Sequence, residues 1–217
     1  MKKLLAFFCV AVLALPLAFS EIAFGARALG EWGVGTDVSV GDAKLDLAKS
    51  WDFGGAAFAR FSIPAAKNLF VQPELGFLHS TTGMKYTYTD SNGEKTTWKS
   101  TLSYNALILP VLVGYGFPVN QNFTVFLEGG PQVSFLLGDL TWKSDDDDDG
   151  STGYTPKSRV LFSGVFGAGV TYSFSPSVAL LGDLRYDLGF VKARPKDVDA
   201  GIIPRGVSLS AGFLVRF

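Results

Sequence analysis

The sequence predicts an all-β chain: one eight-stranded antiparallel up-and-down barrel that crosses a membrane. Three observations predict it. Apolar residues recur at every second position over most of the chain, the period of strands whose two faces meet different surroundings. Long and short connections alternate between those strands, giving one looped rim and one trimmed rim. Charges within strands fall on the face opposite the aliphatic and aromatic one, so the apolar face is the outer one.

The closing stretch, Arg205–Phe217, shows the alternation most simply. Val207, Leu209, Ala211, Phe213, Val215 and Phe217 form one apolar face. Ser208, Ser210, Gly212, Leu214 and Arg216 form the other, and the chain ends on its aromatic. This ending resembles the bacterial outer-membrane β-barrel proteins, whose last strand closes the barrel and ends in Phe.

Composition sets the bounds. The 217 residues suffice for one domain, with 47% hydrophobic content, 25 glycines, one cysteine and one histidine. Lys2 and Lys3, the apolar run Leu4–Leu15, Pro16 and Ala18-Phe19-Ser20 read as a signal peptide cleaved after Ser20. Residues 1–20 are therefore the signal and residues 21–217 the barrel. The apolar run is shorter than the ~20 residues of a spanning helix. Cleavage removes Cys9, which excludes thiol chemistry and cysteine–zinc sites from the mature chain. A net charge of −1 gives no basic patch for nucleic acid.

The strands follow in order. Ile22–Gly35 carries Ile22, Phe24, Ala26, Ala28, Trp32 and Val34 on one face, before the polar segment Thr36–Ser50. Trp51–Ile63 is second and turns over Pro64–Asn68; Leu69–Gly83 is third, before polar Met84–Ser100. Asn92-Gly93 lies within that polar segment, flanked by Tyr86, Tyr88, Thr96 and Trp98. It is a type I′ hairpin signal that extends the third and fourth strands as a two-stranded ribbon. Thr101–Phe117 is fourth, with a short turn at Pro118–Asn122. Phe123–Asp139 is fifth and leads into Leu140–Lys157, which carries the acidic run Asp145–Asp149. Ser158–Phe174 is sixth, Ser175–Ser177 a tight turn, Val178–Val191 seventh, Lys192–Pro204 a loop, and the closing strand eighth. Even strand number puts both termini at the short-turn rim, with the long loops outside.

The fourth strand breaks the pattern. Leu102, Tyr104, Ala106 and Ile108 read as one face, then Val111, Val113, Tyr115 and Phe117 do. A phase slip at Leu109-Pro110 predicts a β-bulge there. Pro73 and Pro131 also fall inside strands, where local irregularity is expected.

A soluble barrel would spread lysines over its outer wall. Here the lysines fall in the signal, turns, loops and strand margins, as the ~2–4 kcal/mol cost of a mid-membrane lysine demands. Nearly all charges within strands lie on the face opposite the apolar one: Arg27, Glu31, Asp52, Arg60, Glu74, Glu128, Asp183, Arg185, Asp187 and Arg216. They are expected to form a charge-paired network that plugs the interior, since an eight-stranded barrel is just wide enough for its own side chains. Trp32, Trp51, Trp98 and Trp142 fall near outer strand ends and read as an aromatic girdle. Phe61, Phe70, Phe117, Phe123, Phe174 and Phe217 fall at the inner ends.

The fourth and fifth strands carry a closer likeness. Tyr104, the run Leu109-Pro110-Val111-Leu112-Val113-Gly114-Tyr115-Gly116-Phe117 and Gly129-Gly130-Pro131-Gln132-Val133-Ser134 resemble the outer-membrane β-barrel domain family with PorT-like members. That family commonly shows an aromatic, an aliphatic-Pro pair and a Tyr-x-Phe before a short turn, then a glycine-bearing strand. A basic residue is frequent where this chain has Gly114. The resemblance implies an outer-membrane location and a barrel fold; activities within the family differ.

Chemistry-bearing residues are few. His79 beside Ser80 resembles the lipid A deacylase barrels, in which a residue separates the two; His79 shares the lipid-facing phase of Val71, Leu75 and Phe77. It reads more simply as an interfacial polar residue. Asp145–Asp149 packs five carboxylates without the interleaving glycine of a calcium loop and reads as a solvated loop. The expectation is a non-enzymatic, porin-like outer-membrane barrel with no cofactor or metal, serving structure or surface interaction through its loops. Its partners are expected to be membrane lipid and an extracellular or envelope protein. A narrow solute pore and a lipid A-modifying enzyme are the alternatives.

Overall fold

The computed structural model describes residues 21–33, 38–40, 43–66, 68–89, 95–144, 151–191, 200–202 and 205–217, with side chains over 21–33, 51–66, 68–83, 99–144, 151–191 and 205–217. The signal segment 1–20, the Asn92-Gly93 turn and the run Asp145–Asp149 lie outside the described residues.

The elements are β1 (Glu21–Gly33), β2 (Val38–Val40), β3 (Ala43–Ser62), β4 (Leu69–Thr89), β5 (Lys95–Pro118), β6 (Phe123–Ser144), β7 (Ser151–Tyr154), β8 (Val160–Ser173), β9 (Val178–Gly189), β10 (Ala200–Ile202) and β11 (Arg205–Arg216). Eight long strands, β1, β3, β4, β5, β6, β8, β9 and β11, pair antiparallel with their sequence neighbours, and β1 pairs with β11 to close the barrel. Closure leaves no edge strand among the eight, so the wall's backbone groups can pair within the sheet without water. Phe217 N–H donates to Ile22 O at 2.9 Å and its ring meets Phe24 edge-on at 5.9 Å, locking the terminal residue onto β1. Among the described residues no helix is long and apolar enough to span a membrane; strands do the crossing.

Segments read as polar loops contribute further pairing. β3 begins at Ala43, and β2 pairs with it and with β10. β7 pairs with the long-loop end of β6. β4 and β5 stay in register from Leu69 opposite Tyr115 out to Thr89 opposite Lys95, a ribbon that outruns β1.

The bulge expected at Leu109-Pro110 is absent. Even positions of β5 from Leu102 to Gly116 face inward without interruption, while Leu109, Val111, Val113, Tyr115 and Phe117 face out. The apparent slip arises because the inner face is itself apolar here: Leu102, Tyr104 and Ala106 pack with Leu136, Leu140 and Leu161 at the long-loop end of the lumen. Prolines do leave a mark. Pairing lapses between Pro73 and Gly76 on β4 against β5, and between Pro110 and Val113 on β5 against β6. Register is the same on both sides of each lapse, so the wall loses ladder bonds but keeps its phase.

The bulge lies instead on β6. Ser103 pairs with Thr141 and Asn105 with Leu137, so Gly138, Asp139 and Leu140 stand opposite Tyr104 alone. Gly138 adopts φ 74°, a left-handed conformation that favours glycine. Arg159 Nη1 donates to Gly138 O at 2.7 Å and holds the bulge from β8's margin.

Candidate functional site

The wall places all ten in-strand charges on inward positions, and the lumen they share is layered. Nearest the short turns, Phe58, Phe70 and Phe126 pack with Ala23, Ala179, Leu181 and Leu214. Glycines make this layer fit: a Cβ at Gly114 would overlap the Phe70 ring, and one at Gly169 the Phe126 ring. Phe70, although it falls at an inner strand end, is therefore a core residue and not a lipid-facing one. The same contact gives the physical reason why this chain carries Gly114 and not a basic side chain.

Arg60 joins that layer to the next. Its guanidinium carbon lies 4.1 Å from the Phe70 centroid and 4.9 Å from that of Phe126, within cation–π range. Its Nε donates to Gln72 Oε1 at 2.7 Å, and Gln72 Nε2 donates to Glu74 Oε1 at 2.6 Å.

Glu74 is the hub of the middle layer. It accepts from Arg27 and takes two bonds from Arg185, at 3.0 and 3.2 Å. Arg185 also lies 2.5 Å from Glu128 and 3.1 Å from Asp183, and Arg27 Nη1 reaches Asp183 at 3.1 Å. Ser210 Oγ donates to Asp183 at 2.7 Å. The carboxylates of Glu74, Glu128 and Asp183 are fully enclosed. Three arginines, Arg27, Arg60 and Arg185, balance these three acids, which is what makes burial of so much charge tolerable.

Above the hub lies a second, unbalanced set. Glu31, Asp52 and Asp187 line one void of about 40 Å³ with Tyr104 and Gln132. Among the described residues none of the three is within ion-pair distance of an arginine. Asp52 accepts from Thr81 N–H at 3.1 Å and Asp187 from Gln132 Nε2 at 3.2 Å. Arg216 stands apart at the short-turn mouth, 3.2 Å from Glu21.

Sequence reading missed Gln72, Gln132 and Ser210. Their inward parity beside Glu74, Ser134 and Ser208 was the available signal.

The outer wall sorts the remaining candidates. His79 faces out and Ser80 faces in, 1% exposed; adjacent strand residues point to opposite faces, so the two share no site. Trp32 and Trp51 are exposed and stack at 4.3 Å. Trp142 does not join them. Even positions of β6 face inward on both sides of the bulge, and Trp142 packs against the apolar cluster at the long-loop end of the lumen. The Trp98 side chain lies outside the described residues. Among the described residues no three His, Cys, Asp or Glu side chains converge as a metal site would require.

An exposed belt of Phe, Leu, Val and Trp around a lumen of buried charge defines an integral outer-membrane β-barrel protein. More narrowly, the chain belongs to the outer membrane protein beta-barrel domain family, whose model matches residues 26–193. OprG of Pseudomonas aeruginosa is similar in structure, with a TM-score of 0.56 and 11% identity over 92% of this chain and 97% of that one. Neisserial surface protein A matches at 17% identity over 90% and 99% of the two chains, with a TM-score of 0.43. Ail of Yersinia pestis matches at 14% identity over 90% and 99%, with a TM-score of 0.37. At these identities the likeness to OprG speaks for the barrel fold alone. No curated protein sequence matches the chain.

Proposed function

We propose that the protein is a plugged barrel that works from its outer surface, as a structural or surface-interaction protein, and is neither a conduit nor an enzyme. The single observation that carries this reading is the enclosed network of Arg27, Glu74, Glu128, Asp183 and Arg185, which crosses the lumen from β1 to β9. The voids around it support the same reading: about 20 Å³ beside Arg27 and Arg185, and about 40 Å³ above. Each has room for a few waters at most. A lipid A-modifying enzyme built on His79 and Ser80 is disfavoured by their opposite faces.

The β4–β5 ribbon is the natural contact surface, because it carries wall strands furthest past the barrel rim. In this reading its tip and the other long loops face the exterior and meet an extracellular or envelope partner. The test compares cells carrying the wild type with cells carrying a variant whose residues 86–98 are replaced by a two-residue turn. The shortened barrel is expected to fold and reach the membrane but to lose surface attachment or partner capture, while solute uptake stays the same in both. Solute uptake that rises with wild-type expression would contradict the reading.

A further inference from the structure

The lipid-facing wall carries a polar island. Outward positions of β4 and β5 place His79 opposite Asn105 and Thr81 opposite Ser103, two successive cross-strand pairs on one face. His79 Nδ1 lies 2.8 Å from Asn105 Oδ1, and His79 Nε2 lies 3.3 Å from Thr81 Oγ1. Thr81 Oγ1 in turn lies 3.4 Å from Ser103 Oγ. One donor direction satisfies all three contacts. The Ser103 hydroxyl donates to Thr81, the Thr81 hydroxyl to Nε2, and Nδ1–H to the Asn105 carbonyl. The chain then ends on the Asn105 amide NH₂, which has no acceptor among the described residues.

Aromatic rings border the island on the β3 side. Phe53 pairs with His79 and Trp51 with Thr81, and Trp32 pairs with Trp51 on β1. The Phe53 ring centroid is 5.1 Å from that of His79, and all three aromatics are at least half exposed. On the membrane side, Phe77 and Leu107 bound the island, one cross-strand pair away from His79 and Asn105.

Trp32 and Trp51 stand beside the island at girdle level, where the headgroup layer supplies the hydrogen-bonding partners that hydrocarbon lacks. The four side chains offer hydroxyl, amide and imidazole groups and include no arginine or lysine, the side chains that grip a phosphate most strongly. A sugar ring fits. Its C–H face lies against the negative face of an aromatic ring, and its hydroxyls both donate and accept. On a lipid-facing wall that sugar has to be attached to a lipid. Thr81, His79 and Asn105 also stand in the order of nucleophile, base and orienter. The neighbouring backbone N–H groups are committed to the strand ladders or, at Thr81, to the Asp52 carboxylate on the lumen side, however, and supply no oxyanion hole, so binding and not acyl transfer is the chemistry available.

We propose that His79, Thr81, Ser103 and Asn105, with the Trp32–Trp51–Phe53 ring surface, bind the sugar headgroup of an outer-leaflet glycolipid. This rests on the membrane location and on the exterior placement of the long loops in the proposed reading, and is independent of whether the lumen conducts. The test titrates the detergent-folded protein with a dephosphorylated glucosamine-disaccharide glycolipid, its phosphorylated form and a phosphatidylethanolamine, counting bound lipid by native mass spectrometry. One glycolipid is expected to bind at least about tenfold more tightly than the phospholipid, with or without phosphate. Thr81→Val/Asn105→Leu and, separately, Trp51→Leu should each lose about tenfold or more while keeping the heat-modifiable migration of a folded barrel. Equal affinity for glycolipid and phospholipid, dependence on phosphate, or no loss in the folded variants would overturn the proposal.

Discussion

Arg185 and Glu74, 111 residues apart in the chain, meet inside the barrel through two parallel hydrogen bonds of 3.0 and 3.2 Å. The bidentate fork fixes β9 against β4 across the lumen. Both groups are cut off from water, so neither tolerates loss of the other. Arg185→Ala or Glu74→Ala should cost about 3–5 kcal/mol, read as a lower unfolding midpoint in detergent. Lys157→Ala, at an exposed position, should stay within about 0.5 kcal/mol of wild type. Similar effects from all three would show that the network contributes no stability. The double variant Arg185→Ala/Glu74→Ala should cost less than the two singles added together, because removing both leaves no unpaired charge at this link.

Gly114 and Phe70 form a second interlocking pair. A Cβ on Gly114 overlaps the ring that β4 sends beneath it. Gly114→Val should cost about 1–3 kcal/mol through overpacking, and Phe70→Ala about 3–5 kcal/mol through the cavity it leaves. Combining them should give less than the sum, since each relieves the other's fault. Additive costs would place the ring elsewhere.

The phase of β5 can be tested with single cysteines carrying nitroxide labels. Labels at Leu109 and Val113 should collide freely with dissolved oxygen in the bilayer, because both residues face out. A label at Ile108 or Leu112, both buried on the lumen side, should be shielded from oxygen. A switch of pattern at Pro110 would restore the bulge that the sequence alone points to.

Gly138 holds the real bulge. Gly138→Ala should cost about 1–2 kcal/mol because φ 74° is strained for any residue with a Cβ. Gly30→Ala meets nothing within 4 Å and should be neutral or slightly stabilising. A harmless Gly138→Ala would mean that the three-for-one step on β6 is built otherwise.

The eight wall strands, the closing Phe217 and the inward parity of the charges were all legible, because each rests on a two-residue period that composition does not disguise. β5 misled for a physical reason. A membrane barrel's interior is expected to be small and polar, yet Leu102, Tyr104 and Ala106 build an apolar cap at one end of this lumen. Two apolar faces on one strand erase the alternation that sequence reading depends on. Trp142 and Phe70 misled by position: both stand at strand ends, where a girdle belongs, but their parity turns them inward. Which acid meets which arginine was not legible at all. That depends on shear between strands more than a hundred residues apart, and on Gln72 relaying Glu74 to Arg60.

Single-channel recording of the refolded wild-type barrel in planar bilayers tests the closed lumen most directly. With the Phe58–Phe70–Phe126 layer and the Arg185–Glu74 hub in place, the account predicts a silent bilayer, with no reproducible unitary current at either polarity. A steady conductance of fixed size, recurring with each insertion, would contradict it.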